Sequence, residues 1–450
     1  MAIAVGKALL TGAQVISLGL VSVGSHAADT AGGADTEALE QRVRELQREL
    51  EQARQALAEA EAAQADAEAR AKRIEAEMSE ITPAPKKIKA GDLTIGGAIR
   101  ANYTVGDYPQ GKGATRATED GGDFSLDTFR INLDYLSGPW QARAEYRWYA
   151  GYNMLHTGWV GYNFEDSSQV QVGVNRVPFG PGPYGIAQSW FFDQHYYVGL
   201  ADDMDLGVKY SRSMGDWRWD FAYYYSDEGD YRGSTRKSTR YSYDVVNESG
   251  NGYKERNQVN LRGIYSVPDV AVATDLGFSL QYGELKSAGP QDDGDHMAAS
   301  VHMVNKWNNF TLASQLTWYE FDVDSAQPLG TDDRVQFGAY DFPSTAAAKA
   351  WIPGISLSYY QATPGIDWLD YVIPYAEYSV IVKDQSGFND SELFILGAAW
   401  GRGGWYVYTD LAMSNGNEFI GGDAAFGDRL GANADDQWQT RFNINFGYYF

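Results

Sequence analysis

The chain has 450 residues, with 36 basic against 60 acidic side chains, a formal charge of -24 and no cysteine. The missing thiols exclude a disulfide framework and a thiolate metal centre. So acidic a chain argues against nucleic acid as a partner, because phosphate binding needs clustered Lys and Arg. With 31 Tyr, 13 Trp and 49 Gly, it suits strand-rich walls bordered by aromatic girdles.

Residues 1–27 read as a signal peptide. Lys7 is the only early charge, a mostly apolar run extends from Ala8 to Val23, and Ser25 and Ala27 fit a cleavage site after Ala27. The run contains Gly12, Gln14 and Ser17 and is shorter than the ~20 apolar residues of a spanning helix. No later stretch is long and apolar enough to span as a helix, so export leads to the periplasm, the medium or an outer membrane.

Leu39, Val43, Leu46, Leu50, Ala53, Leu57 and, further on, Ile74, Met78 and Ile81 recur in steps of four and three. This is an a/d seam, and it predicts an α-helical coiled coil over 36–82 in the periplasm. At ~1.5 Å per residue, 37–81 would form a rod of about 67 Å. So narrow a stripe needs partner helices; the alternative is a partly helical spacer. Pro83 and Pro85 end the helix. Residues 83–91, with Lys86, Lys87 and Lys89, read as a Pro/Lys linker near anionic headgroups.

From Asp92 the helical periodicity stops, and segments of about ten residues alternate in hydropathy, the length of a tilted spanning strand. The alternation predicts strands at 93–104, 124–136, 140–150, 157–165, 169–177, 205–213, 216–226, 257–266, 275–285, 296–305, 309–321, 352–361, 371–382, 392–401, 404–413 and 437–450. Segment 371–382 has an ambiguous phase. In the last segment Trp438, Thr440, Phe442, Ile444, Phe446, Tyr448 and Phe450 share one side, while Gln439, Arg441, Asn443 and Asn445 share the other. That pattern suits lipid outside and water inside. Tight turns at 137–139, 165–168, 214–215, 306–308 and 402–403 separate long loops at 105–123, 178–204, 227–256, 322–351 and 414–436. The fold class predicted for 92–450 is an all-β transmembrane barrel of 16 antiparallel strands, with periplasmic turns and extracellular loops.

Parity turns Arg100, Arg130, Asp134, Arg143, Glu145, Arg147, Lys209, Arg218, Asp220, Arg262, Glu377, Asp410 and Arg441 inward. Charge at membrane depth requires a water-filled cavity, and sixteen strands enclose more space than side chains fill. Basic residues outnumber acids in this set, so the bore is expected to be mildly basic. Asp202, Asp203, Asp205, Asp292, Asp293, Asp295, Asp332, Asp333, Asp435 and Asp436 are expected on a solvated acidic rim, where divalent cations could bridge lipopolysaccharide. A basic ring favours anions, whereas a mixed lining also suits an unselective solute pore.

The segment Arg176-Val-Pro-Phe-Gly at the end of the fifth strand, with Gly173 before it, fits the pattern Gly-x-x-(Lys/Arg)-x-Pro-Phe-Gly. Through Gly173, Arg176, Pro178, Phe179 and Gly180 the chain resembles the phosphate-selective porin O/P family of Gram-negative outer membranes. The resemblance implies a homotrimer in the outer membrane whose third long loop folds into the lumen as a constriction. That loop would carry Trp190, Phe191, Asp193, His195 and Tyr196. Its rings either stack on a sugar or aromatic solute or pack the loop against the inner wall. Residues 178–204 hold no Lys or Arg, which departs from a phosphate-selective constriction. Arg130, Arg143, Arg147 and Arg218 are expected as the electrostatic lining, opposed by Asp193.

Catalysis is not expected. His156, His195, His296 and His302 sit in no nucleophile or metal motif, and loop histidines are expected in solvent. No catalytic residue, metal ligand or cofactor is predicted. The expected partners are further copies of the chain, lipid and lipopolysaccharide, small solutes and, through the coiled coil, peptidoglycan. A cell-wall tether anchored by the barrel is the remaining alternative.

Overall fold

The structure is a computed structural model, and it describes residues 41–48, 50–51, 54, 87–107, 122–421 and 426–450. The chain divides into two units, Met1–Ile81 and Thr82–Phe450. The described residues of the first unit are helical and fall inside the expected coiled coil. The signal segment, the rest of the arm and residues 83–86 lie outside the described residues. Within the expected linker, Ile88–Ala90 forms a short strand paired with Leu93–Ile95.

The second unit is built from β1 (Leu93–Gly106), β2 (Asp123–Ser137), β3 (Trp140–Trp148), β4 (Asn153–Asn163), β5 (Ser168–Arg176), β6 (Met204–Met214), β7 (Trp217–Asp227) and β8 (Tyr253–Val267). It continues with β9 (Ala273–Ser287), β10 (Gly294–Trp307), β11 (Phe310–Asp322), β12 (Lys349–Tyr359), β13 (Tyr371–Lys383), β14 (Ser391–Arg402), β15 (Trp405–Ser414) and β16 (Gln439–Tyr449). Each strand pairs antiparallel with its chain neighbour, and β16 pairs with β1, Ala98 opposite Tyr449 and Tyr103 opposite Ile444. The result is a closed barrel of sixteen antiparallel strands without a free edge. All sixteen expected segments correspond one to one with these strands.

Outward side chains form the belt that lipid requires. Ile99, Leu133, Val160, Val172, Val208, Phe221, Leu280, Val301, Leu316, Ile355, Leu396 and Phe446 are each 37–58 % exposed, an apolar surface too continuous for water. At the end with the tight turns the belt is bordered by rings: Trp140 on Tyr162, Trp217 on Trp219 and Tyr265, Phe310 on Trp307 and Tyr359, and Trp405 on Tyr448, with centroids 4.5–5.2 Å apart. Rings with a polar edge suit the depth of the headgroups.

The packed core lies inside the loop-side half of the barrel. There Phe191, Tyr196, Tyr197, Tyr241, Tyr243, Phe337 and Phe342 are almost fully buried. Loop 323–348, expected to be irregular, contains a hairpin of Arg334–Ala339 and Phe342–Ala347, joined by Asp244–Val245 into a three-stranded sheet. Its turn residues Tyr340 and Asp341 both have positive φ, 47° and 65°. That geometry belongs to a two-residue hairpin turn, which Gly or Asn would have announced in sequence and Tyr-Asp does not. The ambiguous phase of β13 has a similar origin. Its inward side carries Ile373 and Ile381 beside Glu377 and Ser379, because part of that wall faces packed loops instead of water.

Gly173 on β5 sits opposite Trp159 with φ +128°, and an added Cβ would lie 2.3 Å from the Gly158 carbonyl oxygen. Gly173→Ala is therefore expected to destabilise the barrel by about 1–3 kcal/mol. A lower temperature for loss of the folded band in cold-to-hot SDS electrophoresis would show it, and an unchanged transition would contradict it.

Candidate functional site

The third long connection, 177–203, leaves β5 and crosses the lumen. Its two ends are tied together where Arg176 Nη2 lies 2.6 Å from Asp202 Oδ1 and the Tyr241 hydroxyl donates to Asp202 Oδ2 at 2.6 Å. Phe179 is buried. The Gly180 N–H donates to Ser279 Oγ on β9 at 3.0 Å, at a positive φ of 68° where a Cβ would press on the Gln315 side chain. Beyond it the loop fastens to the far wall. The Gln188 N–H donates to Glu377, Trp190 N–H to Asp410 Oδ2 at 3.2 Å, and Gln194 N–H to Ser379 Oγ at 3.0 Å.

Asp193 and His195 complete this attachment. Asp193 Oδ1 accepts the His195 N–H at 2.8 Å and lies 2.9 Å from His195 Nδ1, while His195 Nε2 lies 2.9 Å from Thr317 Oγ1 on β11. Carboxylate, imidazole and hydroxyl in this order resemble a hydrolytic triad. However, Asp193, His195 and Thr317 are 2 %, 0 % and 0 % exposed, so no substrate reaches the hydroxyl. The chain of contacts is a clamp. His195 is thus buried, not solvated as a loop histidine was expected to be, and Asp193 accepts from Ile186 and His195 of its own loop instead of opposing the arginines. His156, His296 and His302 are also buried, on strands, facing inward.

Pinned to β9–β15, the loop leaves a space of about 460 Å³ beside β1, β2, β3 and β16. One side of this space carries Arg100, Arg130, Arg147 and Arg441. The loop contributes its aromatic and amide edge to the lining: Tyr184, Gln188, Trp190, Phe192 and Tyr196. Tyr149, Tyr152, Tyr241, Tyr340 and Phe419 from other loops close it above. The arginines are held flat. Arg100 Nε lies 2.9 Å from Asp127, and Arg130 and Arg147 lie 3.2 and 2.5 Å from Glu145. Arg147 stacks on Tyr241 at 4.4 Å, and Arg441 stacks on Phe191 and Trp190 at 5.1 and 5.5 Å.

A second space of about 580 Å³ lies between the loop's proline-rich entry and β4–β8. It holds Arg176, Lys209, Arg212, Arg218 and Arg262 against Asp220. Arg218 pairs with Asp275 at 2.9 Å, Arg262 with Asp220 at 2.8 Å, and Lys209 Nζ donates to the Arg176 carbonyl at 2.7 Å. Arg143 and Asp134 face each other at 3.8 Å and remain about two-fifths exposed, toward the turn end of the bore. Glu145, 2 % exposed, is surrounded by Arg130, Arg143 and Arg147. The lumen-facing acids Glu377 and Asp410 accept backbone N–H groups of the third loop. Asp202, Asp203 and Asp205, expected on a solvated rim, are buried.

Sequence reasoning missed Asp127 and the rings from neighbouring loops. The spacing Tyr241-Ser-Tyr243 was visible, but a loop without periodicity gives no side to assign.

The Arg176–Asp202 tie carries a pH dependence. Burial alone would raise the Asp202 carboxyl; Arg176, together with His156 and Tyr241, outweighs it and holds the group down at about 2, against 3.8 when free. A depressed acid stabilises the fold above its free value, and that contribution disappears as pH falls from about 4 through 2. Urea stability in detergent is expected to decline over that window in the wild type and less steeply in Asp202→Asn. Parallel curves would show that the tie carries no such contribution.

No protein-family model matches the chain, and no curated protein matches it in sequence. Solved structures do share its architecture. The outer membrane channel DcaP of Acinetobacter baumannii superposes with a TM-score of 0.52 at 10% identity, over 82% of this chain and 100% of that one. OmpF of Salmonella typhi, in complex with daunomycin, gives 0.51 at 11% identity over 81% and 100%. At these identities the likeness is one of fold: a sixteen-stranded barrel of the outer-membrane type.

Proposed function

We propose that this chain is an outer-membrane porin, a water-filled channel for passive diffusion of small hydrophilic solutes and not an enzyme. The observation that carries the proposal is the pairing of a closed, lipid-clad barrel with a lumen whose arginines border open space. A wall that only had to be an anchor would not keep guanidinium groups at membrane depth. A homotrimer is part of the proposal, since the a/d seam of 36–82 needs partner helices. So are contacts of the exposed acids Asp292 and Asp293 with lipopolysaccharide through divalent cations, and reach toward peptidoglycan by the periplasmic arm. If the barrel is instead a tether, deleting 36–85 abolishes its role; a pore keeps its conductance.

Arg143 and Arg218 are 44 % and 52 % exposed, so reversing them costs little in folding. In planar bilayers under a salt gradient, Arg143→Glu with Arg218→Glu is expected to move the reversal potential toward cations, because basic rings favour anions. An unmoved potential would take both residues out of the conducting lining.

A second reading concerns the solute. The 460 Å³ space is lined by guanidinium groups together with the rings of Tyr184, Trp190 and Phe192. This favours a ring solute bearing carboxylate or hydroxyl groups, a sugar or an aromatic acid, over free phosphate, for which Asp127 and Glu145 already compete. Titrating such solutes into single-channel recordings is expected to produce blockade that Trp190→Ala weakens by roughly tenfold, about 1.4 kcal/mol of ring contact. Blockade by phosphate alone, unaffected by that change, would favour an anion pore.

A further inference from the structure

At the loop-side end of β6 the third loop returns through Asp202-Asp203-Met204-Asp205. Asp203, Asp205 and Asp244 are 5 %, 1 % and 1 % exposed, and one carboxylate oxygen of each lies within 4.8 Å of the other two. The backbone brings two more acids to the same place: Glu228 Oε1 accepts the Ser242 N–H at 2.8 Å, and Glu255 Oε1 accepts the Val245 N–H at 2.7 Å. Among the described residues, the one cation within ion-pair distance of this group is Arg240. Its Nη1 stands 2.7 Å from Asp244, 3.1 Å from Asp227 and 3.8 Å from Glu228. One guanidinium does not balance this many buried carboxylates, and buried charge without a partner is among the costliest arrangements in a protein.

A second observation points to what balances them. Asp203 Oδ1, Asp205 Oδ1 and Glu228 Oε2 are buried and have no hydrogen-bond partner among the described residues. The Gln258 amide occupies Asp205 Oδ2 at 3.1 Å and leaves the other oxygen unpaired. Every donor is a hard oxygen, with no imidazole or thiolate, which suits calcium and not zinc. Oxygens within 4.8 Å of one another are close enough to share one cation at calcium–oxygen bonds of ~2.4 Å.

We propose that Asp203, Asp205 and Asp244, supported by Glu228 and Glu255, bind one calcium ion that ties the returning end of the third loop to loop 228–252 and to the start of β8. The absence of any expected metal ligand in the sequence reading follows from spacing. Asp244 stands 39 residues beyond Asp205, and only the docking of loop 228–252 brings it near. Calcium here fixes the loop from its root, on the opposite side from the Asp193–His195 clamp, so the width of the constriction depends on both.

The test uses full-length protein refolded in detergent from inclusion bodies, free of lipopolysaccharide and stripped with EDTA. Metal analysis and calorimetric titration with calcium chloride are expected to give one tight site per chain, with a melting temperature that rises on saturation. Asp203→Asn with Asp244→Asn is expected to lose the site and the rise. Glu165→Gln with Asp367→Asn, which removes exposed acids elsewhere, is expected to keep both. If the double variant fails to fold, the wild-type stoichiometry and the single variant Glu228→Gln, with at least tenfold weaker binding, decide the matter. No calcium bound by the wild type, or stabilisation by acid alone without calcium, would overturn the proposal in favour of shared protons. Because binding is read without current, its failure is distinct from failure of the channel reading.

Discussion

Hydrocarbon offers no hydrogen bonds, so every backbone N–H and C=O of a spanning sheet must find a partner in the sheet itself, at a cost of several kcal/mol for each one that does not. The structure depends on the seam that meets this constraint. β1 and β16 pair from Ala98–Tyr449 to Gly106–Arg441, and the final residue closes the register, Gly97 N–H to the Phe450 carbonyl at 2.9 Å and Phe450 N–H to the Gly97 carbonyl at 3.0 Å. A Cβ on Gly97 would lie 2.5 Å from the Arg130 carbonyl oxygen and 2.7 Å from the Phe450 ring, so this position takes no side chain. An aromatic C-terminal strand that looks uncovered in sequence is covered by the strand farthest from it in the chain.

Closure fixes the diameter, and the diameter creates the problem that the loops solve. A cylinder of this strand number is too wide for its own side chains. Its inward charges must then be met by water or by an inserted segment. Loop 177–203 divides the lumen accordingly. Toward β9–β15 it satisfies Glu377, Asp410, Ser379 and Thr317 directly. Toward β1–β3 it leaves a space bordered by Arg100, Arg130 and Arg147, while on β16 Arg441 stacks on the loop's Trp190 and Phe191. The tyrosines of loops 228–252 and 323–348 then pack against it, so the loop-side half has a buried aromatic core while the turn-side half is bordered by Arg143, Asp134 and Arg218.

These two regimes explain what the sequence disclosed. Strand existence, order, number and the lipid-facing side were legible because a single alternation governs every spanning residue. Trp217, Trp219 and Phe221 outward with Arg218 and Asp220 inward followed from parity alone. The boundaries of β4 and β8 began four residues earlier than expected, because the strands extend past the membrane into the packed loop core where polar and apolar residues no longer alternate. In the loops nothing periodic operates. That His195 would seat on Thr317, that Asp205 would be buried against Gln258, and that Tyr340-Asp341 would turn a hairpin beside Arg240 all depend on partners distant in the chain. The motif Gly173, Arg176, Pro178, Phe179 and Gly180 was visible, and its members act locally, as a strained glycine in β5, a tie to Asp202, and a stiff entry seated on Ser279.

The pairing of the arginines bears on selectivity. Counted as charges, the bore is basic. Counted as pairs, Arg100 is neutralised by Asp127, Arg130 and Arg147 share Glu145, and Arg262 is met by Asp220. A passing anion therefore gains little from long-range attraction. What survives pairing is geometry: a guanidinium presents five N–H donors in a plane, and a carboxylate engages only some of them. Arg147 and Arg441, stacked on rings, are almost fully buried, so in the proposed channel the guanidinium edges that a solute would meet in this space belong to Arg100 and Arg130, 16 % and 20 % exposed. If the barrel conducts as proposed, such a lining would discriminate by shape and hydrogen bonding more than by net charge, because the same carboxylates that quiet the field hold the guanidinium groups in place.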